Sequence, residues 1–371
     1  MTGDIKICSR CVLDTTDSEI NFDDKGVCNH CRTFELNYNT RMNANNGFPE
    51  IIDKIKADGR NKEYDCIIGV SGGIDSTYLA YLAKKNGLRP LAVHFDNGWN
   101  SELAVSNIEK VLKKLNIDLY TYVIDWEEFK SLQIAFLKAS TPDSEVPTDH
   151  AIFALLLREA NKRNIKYFLS GMNYKTESIM PDTWSYGHAD WQYIKSINKQ
   201  FGTVKLKYFP RYNFLYLFYT FFIKRMKMIS WLNYVDFDKD QAMKILQDEL
   251  DWKYYGGKHY ESIYTRFFQS YILPKKFNID KRKGHFSNLI NIGQMTREEA
   301  LAELKKETYP ADLLANDKEY VIKKLGLTND SFEEIMMLKP KTFRDYKTNY
   351  TKINKLKKIY NYLRNKKFFP K

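Results

Sequence analysis

Between positions 63 and 200, short apolar runs alternate with amphipathic stretches, and that alternation sets the expected architecture. Tyr64 to Val70 (YDCIIGV) is the kind of run that forms a strand buried on both faces of a parallel sheet. Thr77 to Lys85 reads as a helix, ended by Asn86-Gly87. Pro90 to Phe95 gives a second strand that closes on Asp96-Asn97-Gly98. Ser101 to Leu115 is a helix with Ser101 as N-cap, Asp118 to Ile124 a third strand, and Glu127 to Lys138 another helix. After a loop over 142–149, His150 to Arg163 is helical, and Lys166 to Leu169 is a fourth strand opening into Ser170-Gly171-Met172-Asn173. Strands alternating with helices predict an α/β doubly wound parallel sheet. Around this core (63–200) the pattern sets off an N-terminal cysteine-bearing segment (1–40) and a linker (41–62). An aromatic and basic segment (201–255) and a mostly helical C-terminal region (256–371) follow.

In an open parallel sheet, ligands bind beyond the carboxyl ends of the strands. The first such end is Ser71-Gly72-Gly73-Ile74-Asp75-Ser76, between a strand and a helix. Two glycines let backbone N–H groups approach phosphate oxygens, and the helix N-terminus adds partial positive charge. Ser71, Ser76 and Thr77 offer hydroxyl donors. The loop lacks the Gly-Lys-Ser/Thr ending of a Walker A motif, so transfer of a terminal phosphoryl group is not the natural reading. SGGxDS instead resembles the signature of PP-loop ATP pyrophosphatases (the adenine nucleotide alpha hydrolase-like fold). The resemblance implies that ATP binds with its pyrophosphate on this loop, that Asp75 helps hold Mg2+, and that adenosine lies near the second strand end. His94, Asp96, Asn97, Gly171 and Asn173 complete the nucleotide candidates. A packed strand position competes for His94, and a plain helix cap for Asp149.

Four of the five cysteines form two CxxC knuckles, Cys8/Cys11 and Cys28/Cys31. Each CxxC turn delivers two thiolates, and two turns close a tetrahedral shell at about 2.3 Å, so a structural Zn2+ in a ribbon over 1–40 is expected. The turn Asp23-Asp24-Lys25-Gly26 is placed to join two short strands. Disulfides or an iron–sulfur cluster on the same thiolates are the alternatives. Cys66, mid-strand, reads as a small buried hydrophobe.

The formal charge of +12 carries little information about the body of the chain. Residues 341–371 hold eleven Lys/Arg and one acid, which leaves about +2 for the rest. The solvated face of a terminal helix is the expected reading of that tail, with contact to tRNA or an anionic membrane surface as the alternatives, and nucleic acid is not expected as a partner. No leader or spanning segment is legible, so a cytoplasmic protein is expected. Tyr208 to Phe237, dense in aromatics and broken by Arg211, Lys224, Arg225 and Lys227, reads as a buried helix or a subunit contact in a homo-oligomer. A peripheral membrane contact is the sharper alternative. Expelled pyrophosphate needs a cation that the loop lacks, and Lys258 and Lys283 are the candidates to supply it.

Taken in order, the CxxC pair, SGGIDS, HFDNGW, PTDHAIF, SGMNYKTES, GGKHYESIYTRFFQSYILPKKF, DKRKGHFSNLI and GQMTREEAL resemble the bacterial N-acetyl sugar amidotransferases of O-antigen and pseudaminic-acid biosynthesis. That resemblance implies ATP-dependent conversion of the acetamido group of a nucleotide-activated sugar to an acetamidino group, through an imidoyl-adenylate. Asp149, His150, Lys175, Glu177, His259 and Arg266 within these blocks are the candidates for holding the sugar. Cys66 lies outside any nucleophile elbow. Ammonia is therefore expected from elsewhere, and the resemblance implies a separate glutaminase and an ammonia-conducting barrel similar to the histidine-biosynthesis pair. A tRNA-thiolating enzyme and a non-catalytic nucleotide-binding scaffold are the competing readings.

Overall fold

A computed structural model describes residues 5–42, 47–257, 260–307, 309–353 and 355. Five parallel strands form its sheet: β1 (Cys66–Gly69), β2 (Pro90–Asp96), β3 (Asp118–Val123), β4 (Tyr167–Ser170) and β5 (Lys227–Ser230), in the order β3-β2-β1-β4-β5. Register is set by pairs such as Ile67 with Leu91 and Phe168, and Phe168 with Met228. Successive strand residues point to opposite faces, which splits the apolar set into two cores. Ile67, Leu91, Val93 and Phe168 join one, while Cys66, Ile68, Ala92, Tyr167 and Leu169 join the other.

The helices before and within the sheet are α1 (Asn29–Met42), α2 (Phe48–Gly59), α3 (Ile74–Lys85), α4 (Glu102–Leu115), α5 (Trp126–Ala139), α6 (Val146–Lys162), α7 (Tyr174–Glu177) and α8 (Trp191–Phe201). Ser101 caps α4 by accepting from the Ala104 N–H, as its position predicts. Other boundaries move. Pro147 sits in the first turn of α6 and starts that helix at Val146, so Asp149 and His150 lie inside it instead of beginning it. The expected linker holds α2, which buries Ile52 and Ile55 against the second core. In the N-terminal segment the expected hairpin strands are reduced to single bridges, Ile7 with Asp14 and Phe22 with Cys28.

The aromatic segment departs most from expectation. α9 (Phe214–Phe218) runs into a wide turn over Tyr219–Ile223 and then into β5, the sheet's fifth strand. KMIS carries no strand signal of its own; pairing with β4, begun by the Lys227 N–H on the Lys166 carbonyl, creates it. Beyond it come α10 (Lys239–Leu250), α11 (Ile263–Phe267), α12 (Leu273–Phe277), α13 (Arg282–Asn291), α14 (Arg297–Leu304), α15 (Ala311–Leu325) and α16 (Asn329–Met337). α11 continues through a widened turn, Phe268–Ile272, into α12. Pro274 lacks an N–H and would crowd the carbonyl four residues earlier, so the helix widens just before it. No helix among the described residues is long and apolar enough to cross a membrane.

Candidate active site

The turn after β1 is fixed by its glycines. Gly72 has φ +80°, and a Cβ there would lie 2.6 Å from the Ala104 carbonyl oxygen. Gly73, extended at φ −72°, is the N-cap of α3. The indole of buried Trp252 donates to the Gly72 carbonyl at 2.9 Å. Asn107 locks the next residue through paired bonds with Lys253, at 2.7 and 2.9 Å. Ser71 and Ser76 hydroxyls lie 3.2 Å apart across the turn. Gly171, at the end of β4, approaches so closely that a Cβ would sit 3.1 Å from the Asp75 carbonyl. Two strand ends and the first turn of α3 therefore meet at one point.

Two adjoining lobes of one cleft open there. The lobe beside β2, of about 450 Å3, has apolar walls that include Val70, Phe95, Ile152 and Phe168, with His94, Asn97, Asn100 and Asp149 as polar points. The second lobe, of about 600 Å3, takes Ser71, Gly73, Asp75, Ser76, Gly171 and Glu177 from the sheet side. Tyr254, Tyr255, Tyr260, Arg266, Lys281 and His285 come from the C-terminal side. Ser71, Ser170, Gly171, Glu261, Gln269, Lys281 and His285 border both. Gln269 and Ser270, in the widened turn ahead of Pro274, face the second lobe.

Each expected residue now has a place. His94 donates from Nδ1 to the Val70 carbonyl at 3.0 Å, which leaves Nε2 to accept from Asn100 at 3.2 Å. It thus links Val70 and Asn100 in the wall of the first lobe. Asn97 lines the same lobe, whereas Asp96 is occupied in its own turn, accepting from the Gly98 N–H and Asn100. Thr77 turns into the core at 4% exposure, because it falls on the sheet-facing side of α3. Asn173 is also buried. Its Oδ1 caps α7 through Thr176, and its Nδ2 has no hydrogen-bond partner.

His150 is not a substrate residue. It is fully buried, stacked 4.2 Å from Tyr212, donating from Nδ1 to the His188 carbonyl and accepting the Tyr212 N–H on Nε2. Desolvation holds its pKa down at about 4, so it is neutral. Lys175 is paired with Asp236 at 2.8 Å, away from the cleft. Arg266 edges the second lobe with its guanidinium forked onto Asp317 at 2.7 and 2.8 Å and laid over the Tyr260 ring. Lys283 is corrected as well: its ammonium bonds Asp14 of the cysteine segment at 2.5 Å. At about 100° per residue, Lys281 and His285 share a helical face while Lys283 points nearly opposite, so of the two Lys281 borders the cleft, where it bridges both lobes, and Lys239 lines the second lobe alone. Arg282 also borders it, but its guanidinium is spent on Asp280 and the Glu303 and Lys306 carbonyls. Lys258 and His259 lie outside the described residues.

Several lining residues gave no motif signal. Tyr255 and Glu261 come within 3.3 and 3.7 Å of where a Cβ on Gly73 would stand. Burial, with the Glu261 charge beside it, pushes the Tyr255 phenol up, so it stays a donor. A second group surrounds the expected Asp149: Asp143 and Ser185 in the wall of the first lobe, with His188 behind them. His188 Nε2 lies 3.1 Å from Asp143 and 3.3 Å from Asp149. Desolvation alone would lower His188, but the Asp143 hydrogen bond and the two carboxylate charges outweigh it and raise it to about 9. Asp149, about half exposed in the cleft wall, is raised above the usual carboxylate range by partial desolvation and by the Glu145 and Asp143 charges, against the pull of His188.

The four cysteine sulfurs lie within 4.8 Å of one another, all fully buried. N–H groups point at them: Cys28 N–H to Cys8 Sγ at 3.2 Å, Leu13 N–H to Cys11 Sγ at 3.5 Å, and Asn291 Nδ2 to Cys31 Sγ at 3.3 Å. Donors aimed at sulfur suit thiolates, and four thiolates so placed fit a tetrahedral zinc ion that would serve structure alone. Arg297 ties this segment to α14 by donating to the Cys8 and Cys11 carbonyls.

Two family models match parts of the chain. Residues 65–203 match the family model "Queuosine biosynthesis protein QueC", and residues 261–360 match "LPS biosynthesis protein WbpG-like, C-terminal domain". A curated tRNA(Ile)-lysidine synthase of Chlamydia pneumoniae is 34% identical over 64 residues, 17% of this chain. That match spans about a fifth of the relative's length. Among solved structures, an NH3-dependent NAD synthetase from Campylobacter jejuni has TM-score 0.33 at 16% identity, covering 75% of this chain and 94% of its own. An NMN synthetase from Francisella tularensis has TM-score 0.31 at 16% identity, covering 83% and 98%. The chain therefore holds two matched parts, a QueC-like PP-loop domain carrying β1 to β4 and the Ser71–Ser76 turn and a WbpG-like C-terminal domain.

Proposed function

We propose that the protein is an ATP-using, ligase-type enzyme that modifies a sugar, and more specifically an amidotransferase that turns an acetamido group into an acetamidino group. The observation that carries this reading is the composition of the cleft. Ser71, Gly73, Asp75 and Ser76 come from the part matched by QueC, and Glu261, Gln269, Lys281 and His285 from the part matched by the WbpG-like lipopolysaccharide biosynthesis domain. One chamber joins a phosphate-binding turn to a wall from a polysaccharide-related module.

Adenosine would fill the apolar lobe against Val70, Phe95 and Phe168, with His94 and Asn97 as its polar contacts. The triphosphate would then cross the turn into the second lobe, where the N–H groups of Gly73 and the first turn of α3 point at it. Asp75, which lines this lobe, would hold Mg2+, and the ion would offset charge on the phosphates. The acetamido oxygen attacks the α-phosphorus, the bond to pyrophosphate breaks, and Lys281 stabilises the departing charge. Ammonia adds to the imidoyl carbon, loses a proton, and AMP leaves. Activation is needed because an amide oxygen is a far poorer leaving group than AMP. Asp149, raised toward neutral pH at the cleft wall, suits that proton transfer. Ammonia would come from a separate glutaminase through a conducting barrel.

Thiolation is disfavoured by Cys66. It is fully buried in β1, and burial pushes its thiol well up, away from the reactive thiolate. The test is pyrophosphate release from ATP with ammonium and a panel of UDP- and CMP-linked acetamido sugars. Sugar-dependent release, abolished in Asp75→Asn with fold intact, is expected. Release that depends on tRNA and ignores sugar would refute the reading.

A further inference from the structure

The helix over Phe214–Ile223 is apolar on both sides: Tyr216, Leu217 and Phe221 pack on the core, and a second apolar face is left uncovered. Leu215, Phe218, Tyr219, Phe222 and Ile223 fall at helical spacing on one face, and that face points to solvent, with Leu215 79%, Phe218 54% and Ile223 62% exposed. The opposite side, at Thr220, is buried and takes a hydrogen bond from Asn161 at 2.8 Å. Ordinary amphipathic helices bury the apolar stripe. Tyr208, Phe214 and Met228 extend the patch along the chain to either side.

Charge singles out what covers it. From Trp191 to Val235 there are eight Lys/Arg and no Asp or Glu. Lys205, Lys207 and Arg211 precede the helix, and Lys224, Arg225 and Lys227 follow it, all exposed. None of these six is ion-paired with a carboxylate among the described residues. A solvated protein surface mixes both signs, and a protein–protein patch with this many unpaired cations would need a strongly acidic partner. Here an apolar, aromatic-rich stripe is bracketed by cations alone.

We propose that this face docks on an anionic lipid bilayer, with Leu215, Phe218, Phe222 and Ile223 entering the acyl boundary and the bracketing lysines and arginines meeting headgroup phosphates. The helix lies in the membrane plane and does not span it. None of its residues lines the cleft, so docking leaves the nucleotide turn open to solvent.

Flotation of the full chain with vesicles of phosphatidylcholine containing about a third phosphatidylglycerol tests this. Wild type is expected to float with those vesicles, to float poorly with pure phosphatidylcholine, and to be released by high salt. Phe218→Ser/Phe222→Ser should abolish flotation, and Lys224→Glu/Arg225→Glu should cut partitioning roughly fivefold or more for each charge removed. ATP binding by both variants, measured in parallel, reports that the fold survives. Light scattering provides the opposing outcome. A dimer that the Phe218/Phe222 variant dissociates, with no flotation of wild type, would assign the face to a second copy and overturn the proposal. Flotation that is equal for wild type and both variants would overturn it too.

Discussion

Gly72 and Gly73 are adjacent and chemically identical, yet substitution by alanine should act on different quantities. At Gly72, alanine must adopt φ +80°, a left-handed conformation that costs an L-residue roughly 1–2 kcal/mol. Its Cβ would also stand 2.6 Å from the Ala104 carbonyl oxygen and 3.2 Å from its Cα, backbone at the first turn of α4 that cannot rotate away. Relief of such overpacking adds about 1–3 kcal/mol. The total, about 2–5 kcal/mol, spread over 371 residues that each contribute about 2.1 cal/mol/K of unfolding entropy, lowers Tm by roughly 3–6 °C. The shift also drags the Gly72 carbonyl off Trp252. At Gly73, φ is −72°, and the nearest atoms to a Cβ are ends of side chains, Ser71 Oγ at 3.2 Å and the Tyr255 hydroxyl at 3.3 Å. Stability should hardly change there, but the methyl projects into the cleft where phosphate oxygens would approach the backbone. Gly73→Ala is therefore expected to keep the wild-type Tm and weaken ATP binding about tenfold or more, measured by scanning calorimetry and titration calorimetry. A Gly73→Ala protein with undiminished ATP affinity would refute the placement of the phosphates, and a Gly72→Ala protein with unchanged Tm would refute the turn geometry.

Other outcomes follow from the same geometry. Lys281→Ala should lower the rate of pyrophosphate release by about 10- to 100-fold at unchanged Tm. Lys283→Ala should instead strand the buried Asp14 carboxylate and cost about 3 kcal/mol, read in urea unfolding. The purified protein is expected to hold one zinc ion per chain by elemental analysis, and Cys28→Ser or a strong chelator should remove it and loosen the N-terminal segment to protease. His188 is raised to about 9, so its contribution to stability is whole below about pH 6.5 and fades as pH rises through 9. The Tm difference between wild type and His188→Gln should therefore be largest near pH 6 and shrink by pH 9.5. Asp143, drawn down to about 2 against the opposing effect of its burial by the hydrogen bond from His188 and neighbouring positive charge, keeps its part of that pair down to strongly acid pH.

What the sequence determined by itself was whatever depends on neighbours along the chain. Short apolar runs marked the three inner strands, β2, β1 and β4, SGG with an Asp-Ser ending marked the phosphate turn, and paired CxxC knuckles marked the thiolate cluster. Each signal is a local backbone or spacing requirement. Tertiary structure decided what depends on which way a helix faces or on a partner far away in the chain. A helical face separates Lys281 from Lys283 by about half a turn, and only the docking of α13 on the cysteine segment tells which one meets the cleft. His150 stands in a conspicuous block yet is buried, because Pro147 starts α6 early and turns the ring into Tyr212 and Trp191. β5 exists only because β4 leaves an edge for it to pair with. The outward stripe of Phe214–Ile223 has the same residue spacing that a buried helix would have, so periodicity cannot distinguish them; the exposure of Leu215, Phe218, Phe222 and Ile223, while Leu217, Thr220 and Phe221 face the core, does.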